Sequence, residues 1–187
     1  VRQPIVVMEN GEWLLPIFHC VPVQGRPWTG DNDYSAVRIS SDQGRTWSEV
    51  TVPQSIGCVH MNIVPLFDGT LAAFFRSRWA DRIYITRSRD GGHSWDPARP
   101  TMLPNNNSSV QATALRNGHL ALVFNNVNGE GVTERRSSLY DDIGDDSDGR
   151  PQTPPETSST AKKAFWGVPR APLSLAISED GGRTWPY

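Results

Sequence analysis

Hydrophobic residues in this chain come in short runs broken by Gly, Asn, Asp and Pro. The longer runs, such as residues 70–75, are strand-sized rather than helix-sized. Three dipeptides, Asn10-Gly11, Asp68-Gly69 and Asn117-Gly118, each sit between two β-rich runs. That is the strongest short-range hairpin cue, because both residues tolerate the positive φ of a tight two-residue turn. The flanking runs predict strands over 4–8 and 13–20, 62–66 and 71–76, and 110–115 and 120–125. Further strands are expected over 35–39, 48–52, 83–87 and 173–177, with a short one after Trp95.

One octet accompanies this pattern three times. It reads Ser40-Ser41-Asp42-Gln43-Gly44-Arg45-Thr46-Trp47, Ser88-Arg89-Asp90-Gly91-Gly92-His93-Ser94-Trp95 and Ser178-Glu179-Asp180-Gly181-Gly182-Arg183-Thr184-Trp185. The shared form is S-x-D-x-G-x-[ST]-W. Its residue types suit a self-tied turn. Asp accepts from turn N–H groups, Gly supplies positive φ, and the hydroxyls bind within the turn. The Trp then fills the gap beside the neighbouring unit. These aspartates are accordingly read as structural.

Each hairpin dipeptide precedes one octet, which phases the chain into three units of approximately 1–53, 59–100 and 108–187. Four antiparallel strands per unit is the pattern of a β-propeller blade. The expected fold is therefore all-β, a β-propeller of four-stranded blades. Propellers have about four to eight blades, so three are expected to belong to a larger ring whose other blades come from the rest of a parent chain. The third unit carries an insertion at 128–163, acidic at Asp141, Asp142, Asp145, Asp146 and Asp148 and rich in proline. Without an apolar period it reads as a surface loop.

Composition narrows the function classes. The chain has 187 residues, 37% of them hydrophobic and 20% charged, which excludes a wholly disordered chain. Its net charge is −2, from 18 basic and 20 acidic residues, which speaks against a nucleic-acid partner. No run approaches the ~20 residues of a membrane-spanning helix, and residues 1–10 lack the pattern of a signal peptide. The sequence sets no compartment; a soluble protein, secreted or periplasmic, is compatible with it. The two cysteines, Cys20 and Cys58, are expected to be free and buried. No Cys/His cluster has metal spacing, so no metal or cofactor is expected.

Topology then sorts the residues. In an up-and-down blade the hairpins and the octets share one face, and the irregular loops collect on the other. That second face receives Asp33, His60 and Asp81 as candidates for acid–base chemistry, each with a structural pairing as its alternative. It receives Arg76, Arg78 and Arg170, whose planar guanidiniums suit a carboxylate. Asn105 and Asn107 are candidate partners of sugar hydroxyls, or simply shape a turn. Trp79, with Trp28 and Trp166, is a candidate stacking surface for a sugar ring.

The repeated octet resembles the Asp-box, or BNR, repeat of sialidases. The chain as a whole is similar to the bacterial predicted-neuraminidase type. The likeness is carried by Gln3-Pro4-Ile5 with Asn10-Gly11, Phe75-Arg76-Ser77-Arg78, the stretch from Leu103 to Ser109, and Arg170-Ala171-Pro172-Leu173-Ser174. It implies a six-bladed propeller and an exo-glycosidase that removes terminal acidic sugars. Arginines, here Arg76 and Arg170, would hold the substrate carboxylate. It also implies an acidic acid/base and a tyrosine nucleophile with a glutamate partner, the last two in a final blade that this sequence does not contain. The expected partner is a glycan or glycoconjugate, and the 187 residues alone are expected to be inactive. The rival readings are a propeller hydrolase or lyase on another uronic-acid glycan, and a non-catalytic propeller that binds glycans or proteins.

Overall fold

In the computed structural model the described residues are 3–133 and 162–186. The greater part of the acidic insertion lies outside them. Among the described residues the protein is all β, arranged in three antiparallel sheets. The first contains β1 (Val6–Val7), β2 (Trp13–His19), β3 (Tyr34–Ser40) and β4 (Ser48–Thr51) in sequential order. The second contains β5 (Cys58–Pro65), β6 (Leu71–Ser77), β7 (Arg82–Ser88) and β8 (Arg99–Pro104), again in order. The third contains β9 (Gln111–Ala114), β10 (Leu120–Asn125) and β11 (Leu173–Ser178). The expected partial propeller is the observed fold. Among the described residues no helix is long and apolar enough to cross a membrane.

The second sheet is packed on both sides, and strand alternation shows how. Leu71, Ala73 and Phe75 of β6 join the core shared with the first sheet. Ala72 and Phe74 join the core shared with the third. Both phenylalanines are completely buried, each contributing about 1.5–3 kcal/mol of hydrophobic stabilisation. A strand buried on both faces reads as a continuous apolar run, as 71–75 does.

All three octets form one turn. Ser40 Oγ donates to Asp42 Oδ1 at 2.8 Å, while Thr46 N–H and Thr46 Oγ donate to the two Asp42 oxygens at 2.8 and 2.6 Å. Ser88, Asp90 and Ser94 repeat this arrangement, as do Ser178, Asp180 and Thr184. The second octet glycine, at positive φ, lies against the preceding sheet. A Cβ on Gly92 would sit 3.1 Å from Leu14, and one on Gly182 would sit 3.0 Å from Phe74. Trp95 and Trp185 fill the two inter-sheet cores, with Trp185 edge-on to Phe74 at 5.8 Å.

Two details depart from the sequence reading. Strand β5 starts at Cys58 rather than Asn62, and a bulge interrupts it, so that His60 and Met61 share the space opposite Phe75. His60 takes up the extra residue at φ +54°. The cysteines are both free, but only Cys58 is buried; Cys20 is exposed, at the end of β2 where the chain leaves the sheet.

Candidate functional site

The loops after β2, β4, β6, β8 and β10 meet at one end of the sheets. Contacts across them establish this: Arg78 N–H donates to Gly57 O, Phe165 N–H donates to Arg78 O, and Trp166 Nε1 donates to Thr29 O. The octets meet the Asn-Gly hairpins away from this cluster, as His93 does with Glu12.

Asp33 is the most enclosed charged group of this end. Its Oδ2 accepts from Arg78 Nε at 3.0 Å and Arg78 Nη2 at 2.8 Å. Its Oδ1 accepts from Trp28 Nε1 at 2.9 Å and Val21 N–H at 3.2 Å. The two side chains are 0% and 3% exposed. The Arg78 guanidinium also lies 4.9 Å from the Trp166 ring centre and 5.2 Å from that of Trp28, a stacking that suits a delocalised cation.

Arg76, one residue before the end of β6, lies on the same side. Its Nε donates to Asn107 Oδ1 at 2.7 Å, and Nη1 lies 3.4 Å from His60 Nδ1. Its guanidinium is 5.6 Å from the Trp166 ring centre. Trp166 therefore touches both arginines. His60 Nδ1 is also 2.7 Å from Ser109 Oγ, and its ring meets Phe18 at 4.9 Å.

The asparagine run holds this arrangement in shape. Asn105 Oδ1 accepts from Ser77 N–H and from Asn107 N–H, and Asn105 Nδ2 donates to Ser108 O. Asn107, at φ +58°, is thereby aimed at Arg76 while its Nδ2 donates to Phe165 O at 2.8 Å. Asn is among the residues that adopt this left-handed conformation most readily.

Asp81 and Trp79 take other positions. Asp81 accepts from Ser77 Oγ, Arg82 N–H, Tyr84 Oη and Lys162 Nζ, the last at 2.8 Å. Burial acts to raise its pKa, but the bonds from Lys162, Ser77 and Arg82 outweigh it, and the net shift is downward. Trp79 lies over Gly57, where an added Cβ would be 2.3 Å from its ring, and packs against the core between the first two sheets.

Residues 162–170 return from the insertion as a strap across this end. Ala164 N–H donates to Asp31 Oδ1, Asn106 Nδ2 donates to Pro169 O, and Asn125 Nδ2 donates to Arg170 O. Beside the strap is a cavity of about 220 Å³ lined by Asn106, Asn107, Ser108, Trp166, Gly167, Val168 and Arg170. Arg170 is exposed and borders it; Arg76 and Arg78 lie behind Trp166 and Asn107 and do not line it. Among the described residues no group of three or more His, Cys, Asp or Glu side chains is placed to hold a metal.

The structure thus gathers Asp33, His60, Arg76, Arg78, Asn105 and Asn107 around Trp166 and Phe18. It puts Arg170 across the cavity, and Asp81 and Trp79 behind. Sequence reasoning did not single out Phe18, Ser108 or Ser109. The two serines follow the asparagine run directly, which is a usable signal; Phe18 is one apolar strand residue among many and carries none.

The whole chain, residues 1–187, matches the BNR repeat-like domain family. No curated protein sequence matches it. Among solved structures it is similar to the Hadza microbial sialidase Hz136, with 18% identity and a TM-score of 0.56, covering 98% of this chain and 28% of that one. It is also similar to a protein of unknown function from Dyadobacter fermentans, with 21% identity and a TM-score of 0.52, covering 64% of this chain and 32% of that one. The chain spans about a third of the length of these structures. With its Asp-box turns and stacked antiparallel sheets, the chain belongs to the BNR repeat-like domain family.

Proposed function

We propose that this chain supplies the anion-binding part of a sialidase-type exo-glycosidase that removes terminal acidic sugars from glycans. The observation that carries the reading is the gathering of Arg76, Arg78 and Arg170 at one end of the sheets, two in contact with Trp166 and the third across the cavity it lines. In this reading Arg170 meets the substrate carboxylate at the cavity rim, and Arg76, fixed behind Trp166 and Asn107, adds its charge to that site. Asn107 holds the Arg76 guanidinium plane through Nε, so little rotamer freedom is lost when the anion arrives. Arg78 is already paired with Asp33, so that pair positions the Trp166 wall and moves no proton.

A carboxylate held beside the ring stabilises the oxocarbenium-like charge of glycoside cleavage. Attack on the anomeric carbon and protonation of the leaving oxygen belong, in this reading, to groups that further blades of a parent chain contribute. Residues 1–187 alone are then inactive.

The test is a hydrolysis screen of the full-length protein against sialosides and uronosides. The expected result is sialoside turnover that falls at least about 100-fold in Arg76→Ala and Arg170→Ala. Turnover untouched by both substitutions, or sugar binding with no turnover of any glycoside, overturns the reading; the latter outcome identifies a binding propeller.

One observation favours a second reading. His60 is held at φ +54° on the bulge, against Arg76 and Ser109, and backbone strain of this kind concentrates at functional sites. It suits a hydrolase or lyase on a uronic-acid glycan in which His60 moves the proton. Loss of turnover in His60→Ala, with Arg76→Ala still active, would select it.

A further inference from the structure

We propose that Arg87, Arg99 and Arg183 form a second anion site, at the octet-bearing end of the junction between the second and third sheets. Its ligand is the oxyanion of a sulfate, phosphate or carboxylate group. The site is separate from the Trp166 end and does not depend on the glycosidase reading.

The residue just before each octet serine carries the argument. It is Ile39 in the first unit and Ile177 in the third, but Arg87 in the second. Ile39 is buried in the core between the first and second sheets. Arg87 follows Ile83 and Ile85 on the face of β7 that meets the third sheet, and it is 9% exposed. Its guanidinium makes one hydrogen bond among the described residues, from Nη2 to Gly181 O. Its Nε is buried without a partner. Burying a cation where the other units place an aliphatic side chain costs stability, so packing does not account for the arginine.

Two more arginines come to the same place. Arg99 is the cross-strand partner of Ile85. Arg183 follows Gly182, where an added Cβ would sit 3.2 Å from Ile85 Cδ1. One residue earlier, a Cβ on Gly181 would sit 3.6 Å from Arg87 Nη2. The third octet thus lays its residues 181–183 across Ile85 and Arg87. Arg99 and Arg183 are both exposed, and neither side chain makes a hydrogen bond or ion pair among the described residues.

The carboxylates nearby are already engaged. Asp96 pairs with Arg89 at 3.0 Å. Asp180 accepts from Ser178, Arg183 N–H and Thr184 within its own turn. Asp68 Oδ1 accepts from the N–H and hydroxyl of Thr70. Burial and the charges of Arg183, Arg99 and Arg89 together lower the Arg87 pKa, with Asp68 opposing them. Cations gathered in this way repel one another, and an anion between them replaces the repulsion with attraction. Arg99 and Arg183 meet the oxyanion with planar guanidiniums. Arg87 lies behind them and adds its charge.

The experiment titrates the full-length protein at constant ionic strength, by calorimetry and thermal melting. The probes are inorganic sulfate and, separately, a sulfated tetrasaccharide. Saturable binding of at least one probe is expected, weakened about 10-fold or more in Arg99→Gln and in Arg183→Gln. Binding of inorganic sulfate identifies a free oxyanion as sufficient; binding of the tetrasaccharide alone identifies an oxyanion carried on a sugar chain. Arg87→Ile is expected to melt no lower than the wild type without anion, and to lose the rise in melting temperature that the anion gives. No binding of either probe, equal binding by the wild type and both glutamine variants, or an Arg87→Ile protein that melts lower overturns the site. Sialoside turnover does not enter the measurement, so failure here leaves the glycosidase reading as it was.

Discussion

Arg78 sets two N–H groups, Nε and Nη2, on a single oxygen of Asp33, and both side chains are buried. The pair joins the loop after β2 to the end of β6, across the first and second sheets. Removing one partner takes away the other's buried counter-charge. Asp33→Ala is therefore expected to lower unfolding free energy by about 3–5 kcal/mol, read from the urea midpoint. A loss under about 1 kcal/mol would show that the pair is solvated.

The octet aspartates make stability acid-sensitive in a defined window. The Thr46 hydroxyl and N–H, with Ser40, hold Asp42 at about 2. The Ser94 hydroxyl, against a smaller opposing effect of burial, does the same for Asp90. Asp180 is lowered as well. A carboxyl lowered by folding stabilises the fold above its unfolded pKa, and that contribution disappears as pH falls through the folded value. Thermal midpoints are expected to decline between about pH 4 and pH 2, and less steeply in Asp90→Asn. An unchanged slope in that variant would sink the assignment.

Gly57 and Gly69 both have positive φ, at 78° and 80°, yet only Gly57 is covered. A Cβ there would overlap the Trp79 ring, whereas one on Gly69 would meet nothing within 4 Å. Gly69→Ala should cost about 1–2 kcal/mol from backbone strain alone. Gly57→Ala should cost about 1–3 kcal/mol more, because the indole must move off the core. Equal unfolding midpoints for the two variants would contradict this packing.

Lys162 reaches from the strap to Asp81 but is 59% exposed. Lys162→Met should change stability by less than about 1 kcal/mol. It should still raise the Asp81 pKa, since the bond from Lys162 is the largest influence lowering it. Carboxyl-carbon NMR titration of both proteins reads the shift; an unmoved Asp81 would mean that the contact is absent in solution.

The pairing of Asp33 with Arg78 illustrates what sequence reasoning leaves open. The sequence reading puts both residues at the loop-bearing end, and in the structure they pair with each other. Whether Arg78 would meet a ligand or a carboxylate of its own chain depended on how two sheets stack. Asp81 is similar: Ser77 and Arg82 are near in sequence, while Lys162 arrives from 81 positions away. The bulge at His60 was hidden because no local residue pattern marks an extra residue in β5.

The sequence by itself determined the repeating unit. Each octet ties its Ser, Asp and Ser/Thr side chains to its own turn within four positions, as from Ser40 to Gly44 and from Asp42 to Thr46, so local chemistry specifies the turn wherever the motif occurs. The hairpin dipeptides did the same for the strands. Tertiary structure decided the site. Trp166 reaches Thr29 across 137 positions, Asn107 meets Phe165 across 58, and Arg76 meets Asn107 across 31. Such partners are chosen by sheet stacking, which brings distant loops to one end, and no nearest-neighbour pattern along the chain encodes which atoms then meet.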